Sequence, residues 1–178
     1  TIVDFDKFRE ENIYRHLLGL QFVDKYKTVA IKEYIESNIP GIIINTREDR
    51  IDNQLKDGGI DLSDFDVIFF FFFDHNINRW LNKYILSNQI NVPAIYLWNE
   101  ALGIGSHAAI INNLYDGCYD CFIGYADGLY DRTSYCARDQ YFGKMITGCN
   151  STYIPYSAAV SIKTTLLGLE ILDQYFSD

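Results

Sequence analysis

No Gly-x-Gly-x-x-Gly run occurs in the 178 residues, so the chain carries no complete glycine-rich cradle for the phosphates of a nucleotide. Long hydrophobic runs are missing too. The apolar stretch 67–73 holds only seven residues, where a membrane-spanning helix needs about 20. That length fits instead a strand buried on both faces of a parallel sheet. Positive charge is scarce: 15 Lys and Arg stand against 24 Asp and Glu, a net charge of −9. A duplex nucleic-acid surface is thereby excluded, although a local basic cluster over one nucleotide is not. No Arg-rich or apolar leader precedes Thr1, so a cytoplasmic location is expected, with no membrane partner. Internal repeats are absent.

What is present suits one soluble domain. Hydrophobic residues make up 48% of a chain long enough to bury a core. Strand-like segments at 2–3, 42–45, 67–73, 93–98 and 108–111 alternate with helix-like segments at 12–20, 25–37 and 76–88. A long amphipathic helix is predicted over 157–176. Helix 76–88 is expected to turn Trp80, Leu81, Tyr84 and Ile85 inward. The fold class is therefore α/β, a Rossmann-like, mostly parallel sheet with flanking helices that lacks its N-terminal glycine-rich strand-loop-helix. Residues 114–156 read as a loop region bearing the four cysteines, Cys118, Cys121, Cys136 and Cys149. A chain of this size does not need a disulfide framework, so metal binding and a reactive thiol are the stronger reading.

Four groups of residues are able to carry chemistry. Asp4, in Asp4-Phe5-Asp6, ends the first strand, where open α/β sheets bind ligands and an acid bonds ribose hydroxyls. Asn12, Arg15 and Lys27 follow as a polar anchor and two cations suited to phosphate; the same residues also fit a solvated helix face. Asp74 directly follows the run 67–73 at the sheet's carboxyl edge, a place for Mg²⁺ or for capping the next helix; the two roles are compatible. Cys118-x-x-Cys121 is half of a tetrahedral zinc site, with Cys136 as a candidate third ligand. Cys149 sits just before the last helix, on a loop that suits a nucleophile as well as it suits a small buried residue. His107, in a glycine-rich turn, reads as a buried, hydrogen-bonded residue rather than a base.

Taken together these segments resemble the ThiF/MoeB/HesA superfamily, which includes the ubiquitin-activating enzymes. The family's Asp-x-Asp is matched by Asp4-Phe5-Asp6, and its Ser-Asn-Leu-x-Arg-Gln by Glu11-Asn12-Ile13-Tyr14-Arg15-His16. Its Val-Gly-x-x-Lys is matched by Val23-Asp24-Lys25-Tyr26-Lys27. Asp24 stands where the family has Gly, and His16 where it has Gln. The stretch from Arg15 to Gly19, with Trp98 to His107, is most similar to the bacterial branch found in ubiquitin-like conjugation operons, including anti-phage ones.

The resemblance implies an adenylation domain over 1–178, an N-terminally truncated piece of a larger protein. ATP would lie on Asp4, Asn12, Arg15 and Lys27, and Asp74 would orient Mg²⁺. Cys118 and Cys121 would form the first pair of a structural Zn²⁺ site, and Cys149 would be the nucleophile. The expected partners are a ubiquitin-like or sulfur-carrier protein, a conjugating enzyme, and a second copy in a homodimer. An adenylation-only relative of sulfur-transfer or dehydratase type, and a non-catalytic scaffold, are the alternatives.

Overall fold

The alternation of strand and helix read from the sequence is realised in a computed structural model, which describes residues 1–72, 74–112, 117–124, 133–136, 140, 142, 144–145, 152–153 and 157–177. Where the sequence shows no boundary, the chain divides into two compact units, Thr1–Asp61 and Leu62–Asp178.

In the first unit, β1 (Ile2–Val3) is followed by 3-10 turns at Glu10–Arg15 and Leu20–Phe22, then α1 (Lys27–Asn38), β2 (Thr46–Arg47) and α2 (Ile51–Lys56). β1 and β2 pair in parallel, Ile2 opposite Thr46 and Val3 opposite Arg47. Phe8, Leu18, Phe22 and Ala30 form the core beneath α1, with Ile13, Val23, Ile31 and Tyr34 packed against them. Helix α1 begins at Lys27 rather than Lys25. Asp24 adopts a left-handed backbone, φ 68°, and Tyr26 is extended, so the helix cannot start earlier. Asp is among the few residues besides Gly that tolerate such a φ, which accounts for Asp24 standing where the resembling family has Gly.

The strand expected at 42–45 does not form; the ladder lies at Thr46–Arg47. Two side chains of α1 compete for this backbone. Glu36 accepts from Ile44 N at 2.8 Å, and Lys32 Nζ donates to Ile44 O at 2.5 Å. With both polar groups of Ile44 already satisfied, its β-branched neighbours have no ladder to join.

The second unit holds a 3-10 turn at Leu62–Asp64, β3 (Ile68–Phe70), α3 (His75–Ser87), β4 (Ala94–Asn99), β5 (Ser106–Ile111), α4 (Tyr119–Ile123), β6 (Lys144–Met145), β7 (Thr152–Tyr153) and α5 (Ala158–Ser177). β3 runs parallel to β4, β5 antiparallel to β4, and β6 and β7 form a separate antiparallel pair. The expectation of a strand buried on both faces fails at β3. Phe70 is buried, but Phe71 is 61% exposed. Among the described residues β3 pairs on one side only, with β4, so it is an edge of this sheet.

Burial on both faces belongs instead to β4, where Ile95, Tyr96, Leu97 and Trp98 are all buried. Helix α3 turns Leu81 and Ile85 inward as its spacing requires, together with Asn78 and Asn82. Trp80 and Tyr84 are half-buried and stack on each other. Helix α5 lies on β4 and β5. Its close approach depends on Gly168, where a Cβ would fall 2.9 Å from both Leu97 methyl carbons. Among the described residues no helix is long and apolar enough to cross a membrane.

Candidate functional site

Strand β1 stops at Val3 and leaves Asp4 at its carboxyl end. The backbone N–H of Asp4 still donates to Arg47 O at 3.1 Å, while Asp4 Oδ1 accepts from Asp6 N at 2.8 Å and bends the chain. An isolated bridge joins Lys7 to Tyr26, and Lys27 N donates to Asp6 O at 2.9 Å. These backbone contacts return the first residue of α1 to Asp6, just past the end of β1 and 21 residues earlier in the chain. Lys27 Nζ then lies 2.6 Å from Asp6 Oδ2 and 3.9 Å from Asp4 Oδ2.

An open cavity of about 440 Å³ lies here. Four cations line it, Lys7, Arg9, Arg15 and Lys27, with the acidic Asp6 and Glu11, the polar Asn12 and the aromatic Phe5 and Tyr26; Arg9 is paired with Asp24 at 3.5 Å and Lys27 with Asp6. A protein of net charge −9 thus gathers four basic and two acidic side chains at one concavity, a local excess of positive charge of the kind that attracts an anion. Arg15 ends its 3-10 turn. Asn12 braces the same turn: its Oδ1 accepts from Arg9 N at 2.9 Å, and its own N–H donates to Arg9 O at 2.9 Å.

Electrostatics agree with the geometry. His16 is held below the ordinary histidine range, first by burial and then by the positive charges of Lys27 and Arg15, so both cations act on one small region. Asp4 is raised above the ordinary carboxylate range, chiefly by burial; the Asp6 N–H and Lys27 oppose this.

A raised carboxylate favours the folded protein below the unfolded pKa, and that contribution is lost as pH rises through the folded value. At neutral pH the ionised Asp4 is therefore a cost. Asp4→Asn keeps the Oδ1 acceptor for Asp6 and is expected to raise the urea midpoint at neutral pH, with the gap from wild type closing in acid. An unchanged gap across the titration would contradict the assignment to burial.

Of the residues singled out in the sequence, Asn12, Arg15 and Lys27 line the cavity, and Asp4 stands beside it, 3.9 Å from the Lys27 amine. Lys7, Arg9 and Tyr26 were not legible as site residues, whereas Asp6 stood in the motif Asp4-Phe5-Asp6. Alternation of charge along 6–11 was the one available signal. It looks like solvated surface until the bridge between Lys7 and Tyr26 folds it over α1.

Asp74, in the second unit, caps α3. All its contacts fall on Oδ1, which accepts from Asn76 N at 2.8 Å and from Asn76 Nδ2 at 3.0 Å. Asp74 is exposed, and among the described residues its Oδ2 has no protein partner. His107 is buried as expected. Its Nε2 lies 3.1 Å from Glu100 Oε1, and its ring is stacked between those of Trp98 and Tyr135.

The Sγ atoms of Cys118 and Cys121 lie 3.5 Å apart. Zinc needs four ligands, and among the described residues no group of three His, Cys, Asp or Glu side chains is able to hold a metal ion. The Cys136 thiol lies 3.4 Å from Glu100 Oε2; burial and that carboxylate raise its pKa. Cys149 lies outside the described residues.

Residues 1–172 match the ThiF family, and the chain belongs to it. A curated relative is the ATP-dependent ubiquitin transferase-like protein Cap2 of Pseudomonas aeruginosa, 23% identical over 173 residues. That match covers 96% of this chain and 30% of the relative, so the chain spans under a third of that protein. Among solved structures, E. coli MccB aligns with TM-score 0.63 and 20% identity over 93% of this chain and 44% of MccB. MccB solved with MccA-N7isoASN gives 0.65 and 17% over 93% and 45%. MccB solved with AMPCPP and MccA gives 0.55 and 21% over 67% and 34%. These likenesses show the Rossmann-type α/β fold.

Proposed function

We propose that this ThiF-family chain supplies the ribose- and phosphate-binding part of a site that adenylates the C-terminal carboxylate of a ubiquitin-like or sulfur-carrier protein. The observation that supports this reading is the presence of Lys7, Arg9, Arg15 and Lys27 in the lining of one cavity, beside Asp4 at the end of a parallel strand. Two names among the relatives support it: a ubiquitin transferase-like protein that depends on ATP, and MccB solved with an ATP analogue and MccA.

In this reading Asp4 bonds the ribose, and Lys27 and Arg15 hold the phosphates. Asn12 keeps the turn that presents Arg15. Asp74 Oδ2 offers an oxygen to Mg²⁺, which neutralises phosphate charge when bound. The carrier's terminal carboxylate oxygen bonds to the α-phosphorus, the bridge to the β-phosphate breaks, and pyrophosphate leaves. Catalysis is positioning and charge neutralisation. The Cys149 thiolate then attacks the acyl carbon and AMP departs, leaving a thioester for transfer to a conjugating enzyme. The active form is a homodimer.

Incorporation of labelled pyrophosphate into ATP tests this directly. The intact protein is expected to catalyse exchange only with a carrier ending in Gly. In Asp74→Asn, half-maximal exchange is expected at several-fold higher Mg²⁺. Exchange independent of any carrier would overturn the proposed substrate class, and an unshifted Mg²⁺ profile would remove Asp74 from the metal.

A further inference from the structure

Asp74 is exposed, but the residues on both sides of it are tied to one buried oxygen. We propose, on the reading of Asp74 given under the proposed function, that the Tyr119 hydroxyl is a positioning group for that carboxylate. Tyr119 is fully buried, so it acts through Asp74 rather than on a ligand.

The side-chain bonds of Asp74 are local. Oδ1 accepts from N and Nδ2 of Asn76 at 2.8 and 3.0 Å, which joins the carboxylate to the first turn of α3. The Tyr119 hydroxyl joins that turn to α4. It lies 2.5 Å from Nδ1 of His75, the residue after Asp74. It also accepts from Asn78 Nδ2 at 3.2 Å. The same Nδ2 donates at 3.1 Å to the carbonyl of Phe72, two residues before Asp74, and the Asn78 backbone N–H donates to Asp74 O at 3.3 Å. One hydroxyl thus holds the chain on both sides of the carboxylate.

The donor inventory fits one arrangement. A carbonyl only accepts, so Asn78 turns its amide N–H groups toward Phe72 O and the tyrosine oxygen. The hydroxyl proton is then left for His75 Nδ1. Asn78 keeps this orientation although its Oδ1 is buried without a partner among the described residues, so the two N–H bonds decide it. Tyr119 is itself seated. Its backbone N–H donates to Asn82 Oδ1 at 3.0 Å, its ring lies 4.5 Å from that of Tyr96, and the next residue, Asp120, is paired with Arg79 at 2.6 Å.

Buried polar groups that lose a partner have no water to replace it, so removing the hydroxyl loosens His75 and Asn78 together. Groups that orient a metal-binding side chain commonly cost about 10–100-fold in metal affinity or activity when lost. Tyr119 stands one step further back, acting through the backbone beside Asp74. Its removal is therefore expected to have a several-fold effect, no larger than that of Asp74→Asn. Tyr119→Phe deletes one oxygen and keeps the buried ring, so the packing of α4 is retained.

The test reads the intact protein in two ways. Hydrogen exchange is measured first, without nucleotide. In Tyr119→Phe the Asn76 and Asn78 amides are expected to exchange several-fold faster than in wild type, with the β4 amides unchanged. Carrier-dependent pyrophosphate exchange is measured second. Half-maximal Mg²⁺ is expected to rise several-fold in Tyr119→Phe, and adding Tyr119→Phe to Asp74→Asn is expected to shift it no further. His75→Ala, at the half-buried end of the network, is expected to show both changes to a smaller degree and serves if Tyr119→Phe does not fold. Unchanged Asn76 and Asn78 amides, or equal acceleration throughout the second unit, overturn the proposal. So does a Mg²⁺ profile that shifts in Asp74→Asn but not in Tyr119→Phe, or shifts that add in the double variant. A profile unmoved in Asp74→Asn overturns it through the reading of Asp74 itself, and faster local hydrogen exchange in Tyr119→Phe tells that failure from failure of the brace.

Discussion

Lys27→Ala is expected to lower carrier-dependent ATP–pyrophosphate exchange by about 10²–10³-fold, the usual cost of removing one preorganised charge donor from a developing anion. The lysine is poised for that role. Its side chain is mostly shielded, 20% exposed, and among the described residues its amine is anchored by the carboxylates of Asp6 and Asp4 at 2.6 and 3.9 Å. A triphosphate offers more negative charge than Asp6 does, so the same amine is able to exchange one anion for the other with little movement.

The fold should tolerate the change. The lost ion pairs are partly solvated, and pairs of that kind are worth about 0–1 kcal/mol. A circular dichroism melt close to wild type, beside lost exchange, separates chemistry from unfolding. Lys27→Arg keeps the charge but changes its shape, so partial exchange is expected there. Full exchange in Lys27→Ala would remove this residue from the phosphate site.

Cys149→Ala is expected to leave pyrophosphate exchange at the wild-type level and to abolish any thioester-linked carrier. Adenylation ends when pyrophosphate departs, before any thiol is needed, so the two readouts report successive steps. The adduct is read as a gel-shifted carrier that collapses with thiol reductant. Wild-type protein that exchanges pyrophosphate but forms no such adduct is the adenylation-only relative, and a reductant-sensitive adduct surviving in Cys149→Ala moves the nucleophile to another cysteine. Lost exchange in the variant would instead give Cys149 a part in the first step.

Much of the candidate nucleotide site was legible because it is built from short-range features. Asp4 ends a strand, Arg15 ends the turn that follows, and Lys27 starts a helix; each is a local boundary marked by residue type. The same locality explains the failures. The segment 42–45 has the composition of a strand, but Glu36 and Lys32 of α1 take the hydrogen bonds of Ile44. The five phenylalanines have the composition of a doubly buried strand, but among the described residues β3 is an edge of its sheet, and Phe71 stands open. Asn78 and Asn82 look like the polar face of α3, yet both are buried, where they bond the hydroxyl and backbone N–H of Tyr119.

Pattern alone determined the α/β class, the helices α3 and α5 and the strands β4 and β5 of the second unit, and the placing of Asp4 at a strand end. Those properties follow from periodicity and residue type, which act over a few neighbours. Tertiary structure decided the rest. It recruited Lys7 and Arg9 to the cavity, and set Asp6 against Lys27. It also pinned the Cys-x-x-Cys turn by a buried tyrosine. Each of these depends on residues 19 to 44 positions apart, and no local propensity records which distant backbone or side chain will arrive to satisfy a given polar group.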